Sequence, residues 1–81
     1  MNMAKLDYRK LSYTDMDCVS SVVINELERQ KEVNKSDIKG LAWYKCGRYS
    51  TQPLIVFLKD GKIFKIKTRK GKIIVENVRS E

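Results

Sequence analysis

The sequence of 81 residues contains no histidine, the side chain that enzymes use most often as a general base. None of its serines lies in a G-x-S-x-G nucleophile elbow, and its four glycines form no phosphate-binding loop. The glutamates between residues 26 and 32 have the spacing of a solvated helix face rather than of a catalytic pair. We therefore expect no enzymatic activity and no cofactor.

Cysteine is nearly as scarce, since Cys18 and Cys46 are the only two and form no C-x-x-C motif. A structural zinc site takes four cysteine or histidine ligands, so one chain cannot supply such a metal site. The sequence allows a disulfide between the two cysteines but does not require one. We expect two free, buried thiols, because unpaired cysteines are usually buried.

Long apolar runs are also missing. The longest, residues 53–58, has the length of a strand and is far shorter than the roughly 20 residues that span a bilayer. The first residues contain no apolar segment typical of a signal peptide. With a mean hydropathy of −0.47, the sequence predicts a single cytoplasmic domain over residues 1–81 without membrane attachment.

Negative charge is scarce in the second half of the chain. Residues 1–40 carry seven basic and seven acidic side chains, whereas residues 41–81 carry ten basic and three acidic ones. The whole net charge of +7 therefore lies in the second half. Such segregation bears on the choice of partner rather than on the fold.

The first half predicts an arm followed by a long helix. Residues 1–13 are polar with scattered large side chains, and we expect an extended arm or a short helical turn that lies on the body. Ser12 or Thr14 can cap a helix over residues 14–33. Its apolar positions at helical spacing are Met16, Val19, Val22, Val23 and Leu27.

The middle of the chain is less regular. Ser36 can cap a second short helix over residues 37–39, which Gly40 would end. Residues 41–46 fit either more helix or a strand. We favour a strand, because Gly40 and Gly47 bracket a segment that contains two aromatic residues.

The remainder predicts an antiparallel β-meander, so that the sheet extends over residues 41–78. Strands are expected at residues 54–59, 62–68 and 72–78, joined at Asp60-Gly61 and Lys70-Gly71. Asp-Gly is typical of a two-residue hairpin turn, and Lys-Gly is a weaker signal. The predicted fold is α+β, with one long N-terminal helix packed on a three- or four-stranded antiparallel β-meander.

The turns decide which side chains share a face of the sheet. A two-residue turn at Asp60-Gly61 would pair Leu58 with Ile63. The expected core face then carries Ile55, Phe57, Phe64 and Ile66, joined by Ile73 and Val75 if the second turn also has two residues. The opposite face would expose an apolar stripe beside the lysines, formed by Leu54, Val56, Leu58 and Ile63. The arm, a second copy of the chain or a partner would have to cover this stripe.

The basic second half indicates nucleic-acid binding, to DNA or RNA, through a Lys/Arg-rich hairpin. Alternate residues of a strand lie roughly 6.5–7 Å apart, which suits a row of phosphate contacts. The candidate residues are Lys65, Lys67, Arg69, Lys70, Lys72, Arg48 and Tyr49, with Glu76 expected beside Lys65. Trp43 or Tyr44 could stack on a base, although a packing role is favoured. Contacts would be led by the backbone, with little sequence specificity.

A second function fits the same residues. Exposed lysines on a strand also prevent edge-to-edge aggregation, so the charge need not bind nucleic acid. The alternative is a protein-interaction module or inhibitor, such as a phage- or plasmid-encoded regulator. It would dock on an acidic protein surface through Leu54, Val56, Leu58 and Ile63. A homodimer formed through this stripe, or through the free edge of the last strand, is also open.

Overall fold

The computed structural model describes residues 6–45 and 52–78, which form one α-helix and a five-stranded antiparallel sheet. The elements are β1 (Leu11–Thr14), α1 (Ser21–Lys31), β2 (Ile38–Tyr44), β3 (Leu54–Leu58), β4 (Ile63–Arg69) and β5 (Lys72–Val78). Short 3-10 turns lie at Tyr8–Lys10, Met16–Cys18 and Lys35–Asp37. The α+β class is confirmed, with five strands in the order β1-β2-β3-β4-β5 instead of three or four.

The helix α1 has 11 residues and is much shorter than predicted. It begins after Ser20, whose hydroxyl accepts a hydrogen bond from the Val22 backbone N–H at 3.3 Å. It ends where Glu32 adopts a left-handed backbone with φ of 53°. Residues 16–18 form a separate 3-10 turn, so the apolar spacing across them does not belong to one helix. None of the helices in the described ranges is long and apolar enough to cross a membrane.

The predicted arm contains a strand that the sequence did not reveal. Its last part pairs with β2 as the edge strand β1, with Leu11 opposite Tyr44 and Tyr13 opposite Ala42. The described residues before β1, residues 6–10, lie on the body as expected, and Leu6 is only 3% exposed. From here on, the arm means these five residues. The alternation of Leu11 and Tyr13 on a run of four residues was too short a signal to predict β1.

The strand preferred for residues 41–46 is confirmed as far as Tyr44, and the strand begins earlier, at Ile38. The short helix predicted for residues 37–39 is therefore wrong. In its place a 3-10 turn ends at Asp37, whose carboxylate accepts a hydrogen bond from the Asn34 backbone N–H at 3.1 Å. Cys46 and residues 47–51 lie outside the described residues. Cys18 is exposed, so the prediction of a buried thiol is wrong there.

The predicted register between β3 and β4 is wrong by one residue. The loop has three residues, 59–61, and Gly61 has a φ of +99°. Leu58 and Lys62 close this loop, since the Leu58 N–H donates to the Lys62 carbonyl at 2.9 Å. A turn followed by a left-handed glycine is the usual geometry of a three-residue hairpin loop. As a result Phe57 lies opposite Ile63, and Val56 lies opposite Phe64.

The turn between β4 and β5 has two residues, as the predicted core face required. Lys70 and Gly71 both have positive φ angles, of 52° and 78°, which is the pattern of a type I′ turn. Arg69 therefore lies opposite Lys72, and Ile66 lies opposite Val75. The stronger dipeptide signal, Asp-Gly, thus formed the longer loop, and the weaker one formed the tight turn.

Because the register is shifted by one residue, each side chain of β3 lies on the face of the sheet opposite to the one predicted. The side that packs under α1, here called the helix face, carries Leu54, Val56, Leu58, Phe64, Ile66 and Val75. The predicted uncovered stripe is wrong, because Leu54, Val56 and Leu58 are at most 5% exposed in this core. Ile55, Phe57 and Ile63 lie on the opposite side together with Ala42 and Leu6. This second side is called the arm face, since the arm packs on it.

Candidate nucleic-acid interface

Three exposed cations meet where β4 turns into β5: Arg69, Lys70 and Lys72. They are called the hairpin tip. Arg69 lies directly opposite Lys72, and like charges opposed across two strands destabilise a hairpin. Among residues 6–45 and 52–78, no carboxylate forms an ion pair with any of the three. Within the described part of the chain, folding therefore concentrates this charge without neutralising it.

Lys67 lies on the same face but has an acidic partner. Its ammonium group is 3.2 Å from the Glu76 carboxylate, and both side chains are partly exposed. The backbone of Glu76 lies opposite Lys65, as predicted, yet its carboxylate reaches diagonally to Lys67. An anion can therefore bind the Lys67 ammonium group only if it displaces the Glu76 carboxylate.

Lys65 is partly buried on the arm face rather than projecting freely. Its ammonium group lies 5.9 Å from the centre of the Tyr44 ring, within the range of a cation–π contact. The Tyr44 hydroxyl in turn accepts a hydrogen bond from the Asp7 backbone N–H at 3.2 Å. Tyr44 thus connects the arm to β2, and Trp43 packs against the core of the helix face. Both aromatic residues have the packing role that the sequence favoured.

The predicted cations of β4 do share one side of the sheet. Lys65, Lys67 and Arg69 alternate along the strand, and all fall on the arm face. Lys70 and Lys72 join Arg69 at the tip. Arg48 and Tyr49, the other two predicted contacts, lie outside the described residues.

The 3-10 turn of the arm is capped at its N-terminus by Asp7. The Asp7 carboxylate accepts a hydrogen bond from the Arg9 backbone N–H at 3.1 Å and pairs with the Arg9 guanidinium. The guanidinium hydrogen bond is the main reason that the pKa of Asp7 is lowered, and it raises the pKa of Arg9. Asp7 therefore stabilises the turn that carries Tyr8 over the sheet.

Sequence reasoning missed the grouping of three aromatic residues on the arm face. The rings of Tyr8 and Tyr13 lie 6.4 and 6.3 Å from the ring of Phe57. Tyr8 is 41% exposed and Tyr13 is 69% exposed, so that with Phe57 they form an aromatic patch open to solvent. Their grouping depends on β1 and on the β3 register, and neither was predicted.

On the helix side of the molecule, the described cations discussed below lie beside carboxylates, so this side attracts an anion less strongly. Arg29 pairs with Glu26, and hydrogen bonds from Arg29 and Gln30 lower the pKa of Glu26. Gln30 also donates to the Ile73 carbonyl at 3.1 Å, which occupies part of the free edge of β5. A groove of about 570 Å³ near the β3–β4 loop contains lysines and carboxylates in equal number, so its charges cancel.

Comparison of the chain with protein-family models, with curated proteins and with solved structures finds no match. Function is therefore inferred from the arrangement of the chain's own residues.

Proposed function

We propose that this protein is a non-enzymatic nucleic-acid-binding protein whose hairpin tip contacts phosphates. The observation that supports this most is the Arg69–Lys72 pair, which places like charges opposite each other with Lys70 beside them. A bound phosphate would relieve this repulsion and release counterions, so the tip gains more from an anion than isolated lysines would.

The proposed contacts are led by the nucleic-acid backbone. The tip consists of long, exposed side chains at a turn, and it presents no element of the size and shape that reads base edges in a groove. We expect affinity that depends steeply on salt and little on sequence. Lys67 adds to the site when an incoming phosphate displaces Glu76.

A docking role through an apolar stripe is not proposed. That function needed Leu54, Val56 and Leu58 on the surface, and they are buried beneath α1. Ile63 is buried on the other face, at 6% exposed.

The test is a variant that removes the charge of the tip and keeps its turn: Arg69→Gln, Lys70→Asn and Lys72→Gln together. Asn-Gly is the preferred pair for a type I′ turn, so the hairpin should be at least as stable as in the parent. Fluorescence anisotropy with a labelled oligonucleotide, measured over a range of salt concentrations, should show weaker binding. The slope of log affinity against log salt should fall by about 2, at about 0.7 for each lost contact with a single strand.

The matched control removes the same amount of charge at the other end of β4, through Lys35→Gln, Lys59→Gln and Lys62→Gln. These three lysines are exposed. Lys59 and Lys62 lie at the β3–β4 loop, and Lys35 belongs to the 3-10 turn whose Asp37 carbonyl accepts a hydrogen bond from the Lys59 N–H. The control variant should bind the oligonucleotide with most of the affinity of the parent. Its slope of log affinity against log salt should also stay close to that of the parent. Equal losses in the two variants would mean that net charge alone acts, and absence of binding by the parent chain would refute the proposal.

A further inference from the structure

We propose that the arm face holds a stacking site for an unpaired nucleobase, which makes single-stranded nucleic acid the ligand class. The site is a cleft of about 450 Å³ lined by Tyr8, Tyr13, Phe57, Gly40 and Lys39. This inference rests on the proposed nucleic-acid function and adds to it a second contact, which is made to bases rather than to phosphates.

Three different elements bring the rings together. The arm supplies Tyr8, β1 supplies Tyr13, and β3 supplies Phe57, whose ring stacks on both tyrosines. Gly40 of β2 pairs with Phe57, and a Cβ atom at Gly40 would meet nothing within 4 Å. The missing side chain therefore leaves open space in a cleft that both tyrosines also line.

A β-bulge places a cation at the same cleft. Ile38 pairs with Leu58 and Gly40 pairs with Phe57, so Lys39 is the extra residue of β2. Bulges change the direction of a side chain relative to the regular strand and are frequent next to functional sites. Here the bulged residue lines the aromatic cleft and is exposed.

The combination of rings and a lysine selects a planar, anionic ligand. A nucleobase can stack on a tyrosine while its phosphate contacts Lys39, and such stacking tolerates any base. Bases inside a duplex are already stacked and paired, so an unpaired strand fits the cleft better. A protein with a net charge of +7 also attracts a polyanion more strongly than a neutral aromatic molecule.

The cleft and the hairpin tip lie on the same side of the sheet. β4 runs from Ile63, which lies opposite Phe57, to Arg69 at the tip. Six residue steps along a strand cover roughly 20 Å. One single strand of several nucleotides can therefore place a base in the cleft and phosphates at the tip.

The experiment compares two probes by fluorescence anisotropy: a thymidine oligonucleotide of about 12 nucleotides, within the range that small single-strand-binding domains cover, and an abasic strand of the same length. The parent protein should bind the intact strand more tightly. Gly40→Leu fills the cleft without removing a ring or a charge, and Tyr13→Thr removes the most exposed ring and keeps a residue that favours strands. Each variant should weaken binding of the intact strand by about fivefold or more and leave binding of the abasic strand unchanged.

The results separate this inference from the proposed function. Equal affinity of the parent for both strands would overturn the stacking site and leave phosphate binding at the tip intact. Failure to bind either strand would overturn both proposals.

Discussion

Single side chains determine how much of the positive charge is left for a partner. Of the five cations predicted on β4 and β5, Lys65 rests on Tyr44 and Lys67 pairs with Glu76. The remaining three form the hairpin tip. The sequence correctly placed Glu76 near these lysines, but the choice between Lys65 and Lys67 depends on side-chain reach, which spacing alone does not give.

Burial at single positions of α1 leads to a stability prediction. Leu27 is 0% exposed and Val22 is 63% exposed, although both belong to the predicted apolar stripe. Leu27→Ala should lower the free energy of unfolding by about 2–5 kcal/mol, because it leaves a cavity under the helix. Val22→Ala should change it by no more than about 0.5 kcal/mol and in the stabilising direction, since alanine favours helices. Urea denaturation of the two variants measures both values, and similar losses would contradict this placement of α1.

At the scale of elements, the β3–β4 loop decides which side chains form each core. A loop of three residues instead of two moves β3 by one position relative to β4 and exchanges its faces. The apolar pattern of residues 54–58 is continuous, so either face could be buried, and the pattern does not select the register. Strands β3, β4 and β5 were predictable from their turns and composition, but the faces of β3 were not.

The loop geometry predicts how glycine substitutions behave. Gly61→Ala should lower the free energy of unfolding by about 1 kcal/mol or more, because its φ of +99° strains any residue with a Cβ atom. Gly40→Ala is the matched control, since that glycine has open space around it and no positive φ. It should change stability by less than about 0.5 kcal/mol. Thermal or urea unfolding distinguishes the two, and a tolerated Gly61→Ala would argue against the three-residue loop.

The arm should respond to acid before the rest of the fold does. The pKa of Asp7 is lowered in the folded state, so its contribution to stability is present above the ordinary carboxyl pKa of about 4 and is lost as the pH falls through the folded value. We expect NMR contacts between Tyr8 and Phe57 to weaken at low pH while the core contacts of Ile24 persist. Asp7→Asn should weaken them already at neutral pH and abolish the acid dependence. Simultaneous loss of arm and core contacts would contradict this role of Asp7.

At the scale of the whole molecule, the charge segregation seen in the sequence becomes a spatial one. Two of the seven acidic residues of the first half pair locally, at Asp7–Arg9 and Glu26–Arg29, and part of the excess of lysine and arginine lies on the arm face and at the hairpin tip. The apolar spacing and the turn signals therefore predicted the class of fold, and the uneven charge led to the region of the candidate site. The aromatic part of that site could not be predicted, because Tyr8, Tyr13 and Phe57 are distant in sequence and meet only through the tertiary register.

The most direct test of the central claim is an NMR titration of the isotope-labelled protein with a single-stranded oligonucleotide of about 12 nucleotides. We predict chemical-shift changes that cluster on one side of the sheet, at Arg69, Lys70 and Lys72 and around Tyr13 and Lys39, with α1 unaffected. Changes confined to α1 and the helix face, or none at low salt, would contradict a nucleic-acid interface on the arm face.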